Sequence, residues 1–200
     1  MKKISMLLSL LLIFSISYAK KGGDNTLTKK EKKEGWVLLF DGKSTEHWRG
    51  YGKEHFPGAW EIEDGAIKCN GSGRGEAGAK DGGDIITKKQ YQNFELSLEW
   101  KISEGGNSGI FILGQEVEGE PVYMSAPEMQ VLDNDKHPDA KLGKNGNRQA
   151  GSLYDLIPAT PQNAKAVGKW NKVLITVYKG TVIFNQNGEN VAEFHFALLL

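Results

Sequence analysis

Cysteine is nearly absent: Cys69 stands alone in 200 residues. An intramolecular disulfide is therefore excluded, and so are the CxxC redox and paired-cysteine zinc motifs. Net charge is missing too. The 25 basic and 25 acidic residues cancel, which leaves no electrostatic footprint for nucleic acid. No HExxH, GxSxG or Walker loop occurs, so zinc-protease, serine-hydrolase and NTPase chemistries lose their usual sequence support. Neither an internal repeat nor a long helical periodicity is present beyond the N-terminal apolar run. That run, Ile4 to Ile16, is shorter than the roughly 20 apolar residues a membrane-spanning helix needs.

The run follows Lys2 and Lys3 and precedes Ser17-Tyr18-Ala19, with small residues at the two positions a signal peptidase reads. Residues 1–19 are expected to be a secretory signal. The chain from Lys20 onward is then expected to be secreted or periplasmic, with a net charge of −2 and no membrane anchor. Residues 20–34 read as a polar linker. Within it Thr28 stands three residues before Glu31 and Gly35 follows, a capping-box start and a glycine stop that predict a short helix from Lys29 to Glu34.

From Trp36 the pattern changes to short β-type runs between turn residues: "WVLLF", "AWEIE", "AIKC", "DIIT", "NFELSLEW", "GIFIL", "EMQVLD", "KVLITVY" and "TVIFNQ". Many short strands without intervening helices predict an all-β sandwich or barrel. In "NFELSLEWKI", Phe94, Leu96, Leu98 and Trp100 alternate with Glu95, Ser97, Glu99 and Lys101, one core face and one polar face. Asn187-Gly188 between two alternating runs predicts a tight hairpin. Gly73, Gly75 and Gly78 have GxGxxG spacing, but "DIIT" follows where a dinucleotide site needs a helix. That segment reads as a glycine-rich loop.

The stretch "EMQVLDN", Glu128 to Asn134, carries the chemistry. Glu128 and Gln130 share one face of a strand while Met129 and Val131 share the other. A bulge near Leu132 is expected to return Asp133 to the polar face, as bulges often do beside active sites. The Glu-x-Gln-x-x-Asp spacing resembles the Glu-x-Asp-x-x-Glu strand of the jelly-roll glucanases. The alternative is a plain solvent-facing sheet surface. Around the strand, "GGNSGIFI" supplies Asn107 and Ser108 where glycines let a ligand approach the backbone, and "NRQAGSLYDL" supplies Arg148, Tyr154 and Asp155. Trp48 is a candidate sugar-stacking platform or a core residue, Glu99 lies on a polar strand face, and His137 is a candidate acid or base in the following loop. "DNDKHPD" has Asp133, Asp135 and Asp139, but Pro138 occupies the position where a calcium loop needs glycine. No cofactor is expected; a divalent cation in this loop is the alternative.

Taken together, "EGWVLLFDGKSTEHW", "AWEIEDGAI", "GGNSGIFI", "EMQVLDNDKHPDAK", "AGSLYDL", "GKWNKV" and "FNQNG" resemble, in order, the 3-keto-disaccharide hydrolase family over residues 34 to about 194. The resemblance implies a concanavalin-A-like jelly-roll sandwich. It also implies a carbohydrate substrate oxidised at C3, cleaved by lyase-type chemistry followed by hydration. Family members continue past the NG hairpin to a His-Gly-bearing segment and a last core strand, whereas this sequence stops at "EFHFALLL". The resemblance therefore implies a domain over 35–200 that lacks its last strand or strands.

On this reading Glu128, His137 and Tyr154 are the catalytic candidates. Trp48, Glu99, Asn107, Ser108, Gln130, Asp133, Asn134 and Arg148 are the substrate-binding ones. Two other classes stay open: a non-catalytic carbohydrate-binding module, since the sandwich hosts both roles, and an ordinary two-carboxylate glycosidase, whose carboxyls stand about 5 to 9 Å apart.

Overall fold

The computed structural model describes residues 24–71 and 81–196. The expected signal segment, the GxGxxG-spaced glycines and the chain beyond Phe196 lie outside the described residues.

A single short helix, α1 (Lys29–Lys33), opens the described chain. Thr28 and Glu31 form the reciprocal capping box. At the other end Gly35 takes φ +89°, its N–H bonds Lys32 O at 3.3 Å and that of Trp36 bonds Glu31 O at 3.0 Å. This is the paired closure that a left-handed glycine permits.

Ten strands follow. β1 (Trp48–Gly50) pairs with β4 (Ile85–Thr87), and β2 (Trp60–Glu63) with β3 (Ala66–Cys69). β5 (Phe94–Trp100), β8 (Asn171–Tyr178), β9 (Thr181–Gln186) and β10 (Glu189–His195) form one antiparallel sheet in the order β10-β9-β8-β5. β6 (Asn107–Phe111) pairs with β7 (Glu128–Leu132). The result is an all-β, antiparallel jelly-roll sandwich.

Register explains the core. Phe94, Val177, Val182 and Phe194 stand in one row across the four-stranded sheet, and Leu96, Ile175, Phe184 and Ala192 in the next. These rows pack with Met129 and Val131 of β7 in a common apolar cluster. Fully burying each such large side chain is worth about 1.5–3 kcal/mol. Asn187 and Gly188 make the β9–β10 turn at φ +53° and +94°, the doubly left-handed geometry of a two-residue hairpin.

Two expectations fail. "WVLLF" is not a strand: the Trp36 N–H is spent closing α1, and Leu39 O accepts the Trp48 indole N–H at 2.7 Å. Nor does β7 bulge. Glu128–Leu132 pairs one-to-one with Asn107–Phe111, and Asp133 N continues to Gly106 O at 3.0 Å. The register shift lies instead in β10, between Asn190 and Ala192, where Val191 O accepts Thr160 N–H at 2.8 Å.

Candidate active site

β7 is an interior strand. β6 holds one edge; the segment Gly151–Tyr154 holds the other, with Ser152 O accepting Gln130 N–H, Gly151 N–H reaching Gln130 O, and Tyr154 N–H reaching Glu128 O at 2.9 Å. Leu153 stands opposite Met129 on the core side. Alternation then puts Tyr154 on the other face, in one row with Glu128 and Phe111. Asn107, Gly109 and Gln130 share that face. Pleating sends Ser108 to the opposite face, beside Val131, so the two neighbours expected to act together are separated.

Glu128 is half-buried and its side chain lies along the strand over Gly109. The space the glycine leaves is thus filled by the protein's own carboxylate. Gln130 is 1% exposed, and its Oε1 accepts Val131 N–H at 3.0 Å. A plain solvent-facing surface is ruled out at this position.

Beyond the strand the polar side chains organise loops. Asp133, 3% exposed, accepts N–H groups of Gly105 at 2.7 Å, Asp135 at 3.0 Å and Lys136 at 3.2 Å. The Gly105 bond is foremost in holding its carboxyl below the usual range. Asn134 Oδ1 accepts Ala150 N–H at 2.8 Å. Both tie the 133–137 loop to its neighbours, and the expected return of Asp133 to the polar face does not occur.

The partner of His137 is Asp139. His137 Nδ1 accepts the Asp139 N–H at 3.2 Å, which leaves Nε2 as the proton-bearing nitrogen of the neutral ring. Asp139 Oδ2 accepts the Tyr154 hydroxyl at 2.9 Å and Oδ1 accepts Arg148 Nη1 at 3.0 Å. Arg148 also grips Asp155 through Nε at 2.8 Å and Nη2 at 2.9 Å, and its guanidinium lies 5.3 Å from the Tyr154 ring centre. Burial, then the bond to Asp139 and the charges of Asp139 and Glu128, push the Tyr154 phenol up to about 12; Arg148 opposes this. Asp139 is therefore the hub of the cluster. Sequence spacing gave no signal for it, because its partners lie 9 and 15 residues away.

A broad open groove has Glu128, Gln130, His137 and Tyr154 among its lining residues, together with Ser108, Ile110 and Val131 from the opposite face of β6 and β7. One wall is the 114–121 loop, pinned by Arg49 to Glu116 at 2.8 and 2.6 Å and by Tyr51, whose hydroxyl donates to Gln115 O and accepts Val117 N–H. Trp48 holds the 36–40 segment through its indole, and Glu99 is exposed opposite Lys172 on β5. His55 bonds Asp81 at 3.1 Å beside Lys53 and the Gly58 N–H. Among the described residues no three His, Cys, Asp or Glu side chains gather as a metal site. Asp133 and Asp139 commit their oxygens to N–H and O–H donors.

The family model of the 3-keto-alpha-glucoside-1,2-lyase-like domain matches residues 35–197. The chain belongs to this family. Over 171 residues it is 61% identical to a protein named 3-keto-disaccharide hydrolase from Bacteroides thetaiotaomicron, an alignment that takes in 81% of this chain and 59% of that relative. The family member described here thus spans about three-fifths of the relative's length. A solved Parabacteroides distasonis structure, provisionally called a glycosyl hydrolase, superposes with TM-score 0.76 at 31% identity, covering 88% of this chain and 79% of that one. A second structure from that organism, at 23% identity and TM-score 0.56, covers 74% and 72% and shares the fold.

Proposed function

We propose that this domain cleaves 3-keto-glycosides, with 3-keto-disaccharides as the substrate class, by elimination across C1 and C2 followed by hydration. The observation that carries the reading is the Phe111–Glu128–Tyr154 row: a groove-lining carboxylate beside a phenol that keeps its proton. Family membership and the relative named 3-keto-disaccharide hydrolase support the substrate class.

A C3 ketone acidifies the hydrogen on C2. Glu128 takes that proton, and the C–H electrons move into the C3 carbonyl as an enolate. The enolate collapses, the C1–O bond breaks with a C1=C2 double bond forming, and the leaving oxygen gains a proton. Water then adds across the double bond, so the net result is hydrolysis. A site for this needs a base, donors toward the enolate oxygen and an acid for the leaving group. Glu128 is the base. Asn107 and Gln130, on the same face, are the enolate donors. Tyr154 is the acid, its hydroxyl turning from Asp139 to the leaving oxygen. His137 is the alternative acid only as the imidazolium, which requires Nδ1 to release the Asp139 N–H; with Nδ1 occupied, the neutral ring offers Nε2–H to the leaving oxygen as a hydrogen-bond donor.

The test is substrate comparison. One disaccharide is offered with a C3 ketone and with the ordinary C3 hydroxyl. Cleavage of the keto form alone is expected; equal cleavage of both would contradict the proposal and favour a two-carboxylate glycosidase, while binding without cleavage would favour a carbohydrate-binding module.

A further inference from the structure

Gly109 sits in the interior of β6, where glycine weakens a strand by about 0.5–1 kcal/mol relative to alanine. Its backbone does not explain it. Gly109 is absent from the left-handed glycines, which include Gly105 at φ +64° and Gly151 at φ +86°, so any residue could adopt its conformation. What a side chain would meet is specific. A Cβ built on Gly109 would fall 2.8 Å from Glu128 Cγ, 2.6 Å from its Cδ and closer still to Oε1, and these are the nearest heavy atoms it would meet. No main-chain atom stands as near.

We propose that Gly109 is a positioning residue: its missing side chain is the slot in which the Glu128 carboxylate lies flat on β6, beside Gln130. The inference rests on Glu128 being the base of the proposed reaction. The cross-strand register produces the slot. Glu128 faces Phe111 and Gly109 faces Gln130, so Glu128 reaches Gly109 diagonally, across a separation of about 7–8 Å that a long side chain can span. A methyl group at 109 would lift the carboxylate off the strand. Because the colliding atoms are the far end of a flexible side chain, the protein should tolerate the change in stability but not in geometry. A displacement of about 1 Å at a reacting group costs on the order of 10²-fold in rate.

The experiment is a double-substitution cycle with Gly109→Ala, Glu128→Asp and both together. Three properties are read: kcat and KM on a 3-keto-disaccharide, thermal midpoint, and the carbon-13 resonance of the Glu128 carboxyl, assigned by its disappearance in Glu128→Gln. Gly109→Ala is expected to lower kcat by about 10²-fold with KM and melting temperature near the parent values, and to move the Glu128 resonance. In the Glu128→Asp background the shorter side chain no longer reaches the slot, so adding Gly109→Ala should cost little more; such non-additivity marks a direct contact. An unchanged kcat and an unmoved resonance in Gly109→Ala would overturn the slot. So would an equal loss of melting temperature in both backgrounds, which would place the collision in the main chain. If the parent shows no turnover of the keto-disaccharide, the proposed reaction fails, and the resonance alone still decides the slot.

Discussion

Tyr154 donates its hydroxyl to Asp139, and Asp139 is held in turn by Arg148, so two side chains fix one phenol beside the Glu128 main chain. Asp139→Asn removes a negative charge that opposes the phenolate. The Tyr154 pKa should fall from about 12 toward its ordinary 10, read as the ultraviolet titration difference between each protein and its Tyr154→Phe counterpart. An unmoved titration would show that burial alone sets the shift. Glu128→Gln keeps the shape of the base and removes its proton affinity. It should lower kcat by about 10²–10⁴-fold with the melting temperature retained; lost stability with retained turnover would make Glu128 a structural residue.

At the scale of elements, the β9–β10 hairpin depends on two residues in left-handed backbone, Asn187 and Gly188. Gly188→Ala places a Cβ at φ +94° and should destabilise the fold by about 1 kcal/mol or more, measured as a lower denaturation midpoint with an unchanged slope. An unchanged midpoint would mean the turn relaxes to another geometry. This hairpin was legible in the sequence because its signal is local, and so were α1 and the alternating β5, β8 and β9. "WVLLF" misled because its apolar residues answer to Trp48 and to the α1 closure rather than to a ladder. Asp133 misled for a related reason: its main contact, Gly105, is 28 residues distant, and only pairing of β6 with β7 brings the two together. The Gly109 slot and the Asp139 hub were unreadable on the same ground, since cross-strand register and loop return create both.

Across the whole molecule, the groove wall is held by charge. The bond from Arg49, then the Gly52 N–H, lowers the Glu116 carboxyl from its ordinary 4.5 to about 2. A depressed acid contributes stability that is present above the unfolded value and lost as pH falls through the folded one. The attachment of the 114–121 loop should therefore weaken between about pH 4.5 and pH 2. Hydrogen exchange at the Val117 amide, which bonds the Tyr51 hydroxyl, should accelerate across that window, and Arg49→Met should show fast exchange at neutral pH already. Equal protection in both proteins at neutral pH would mean Tyr51 alone holds the wall.

The central claim is that C2 loses its proton before the glycosidic bond breaks, and one measurement addresses it directly. Cleavage of a 3-keto-disaccharide is run in heavy water and the released 3-keto sugar, with recovered substrate, is analysed for deuterium at C2. Elimination and rehydration require solvent hydrogen at that carbon, so the account predicts deuterium at C2 of the product. Complete cleavage with only the original hydrogen at C2 would contradict it, and would transfer the reaction to a direct displacement at C1.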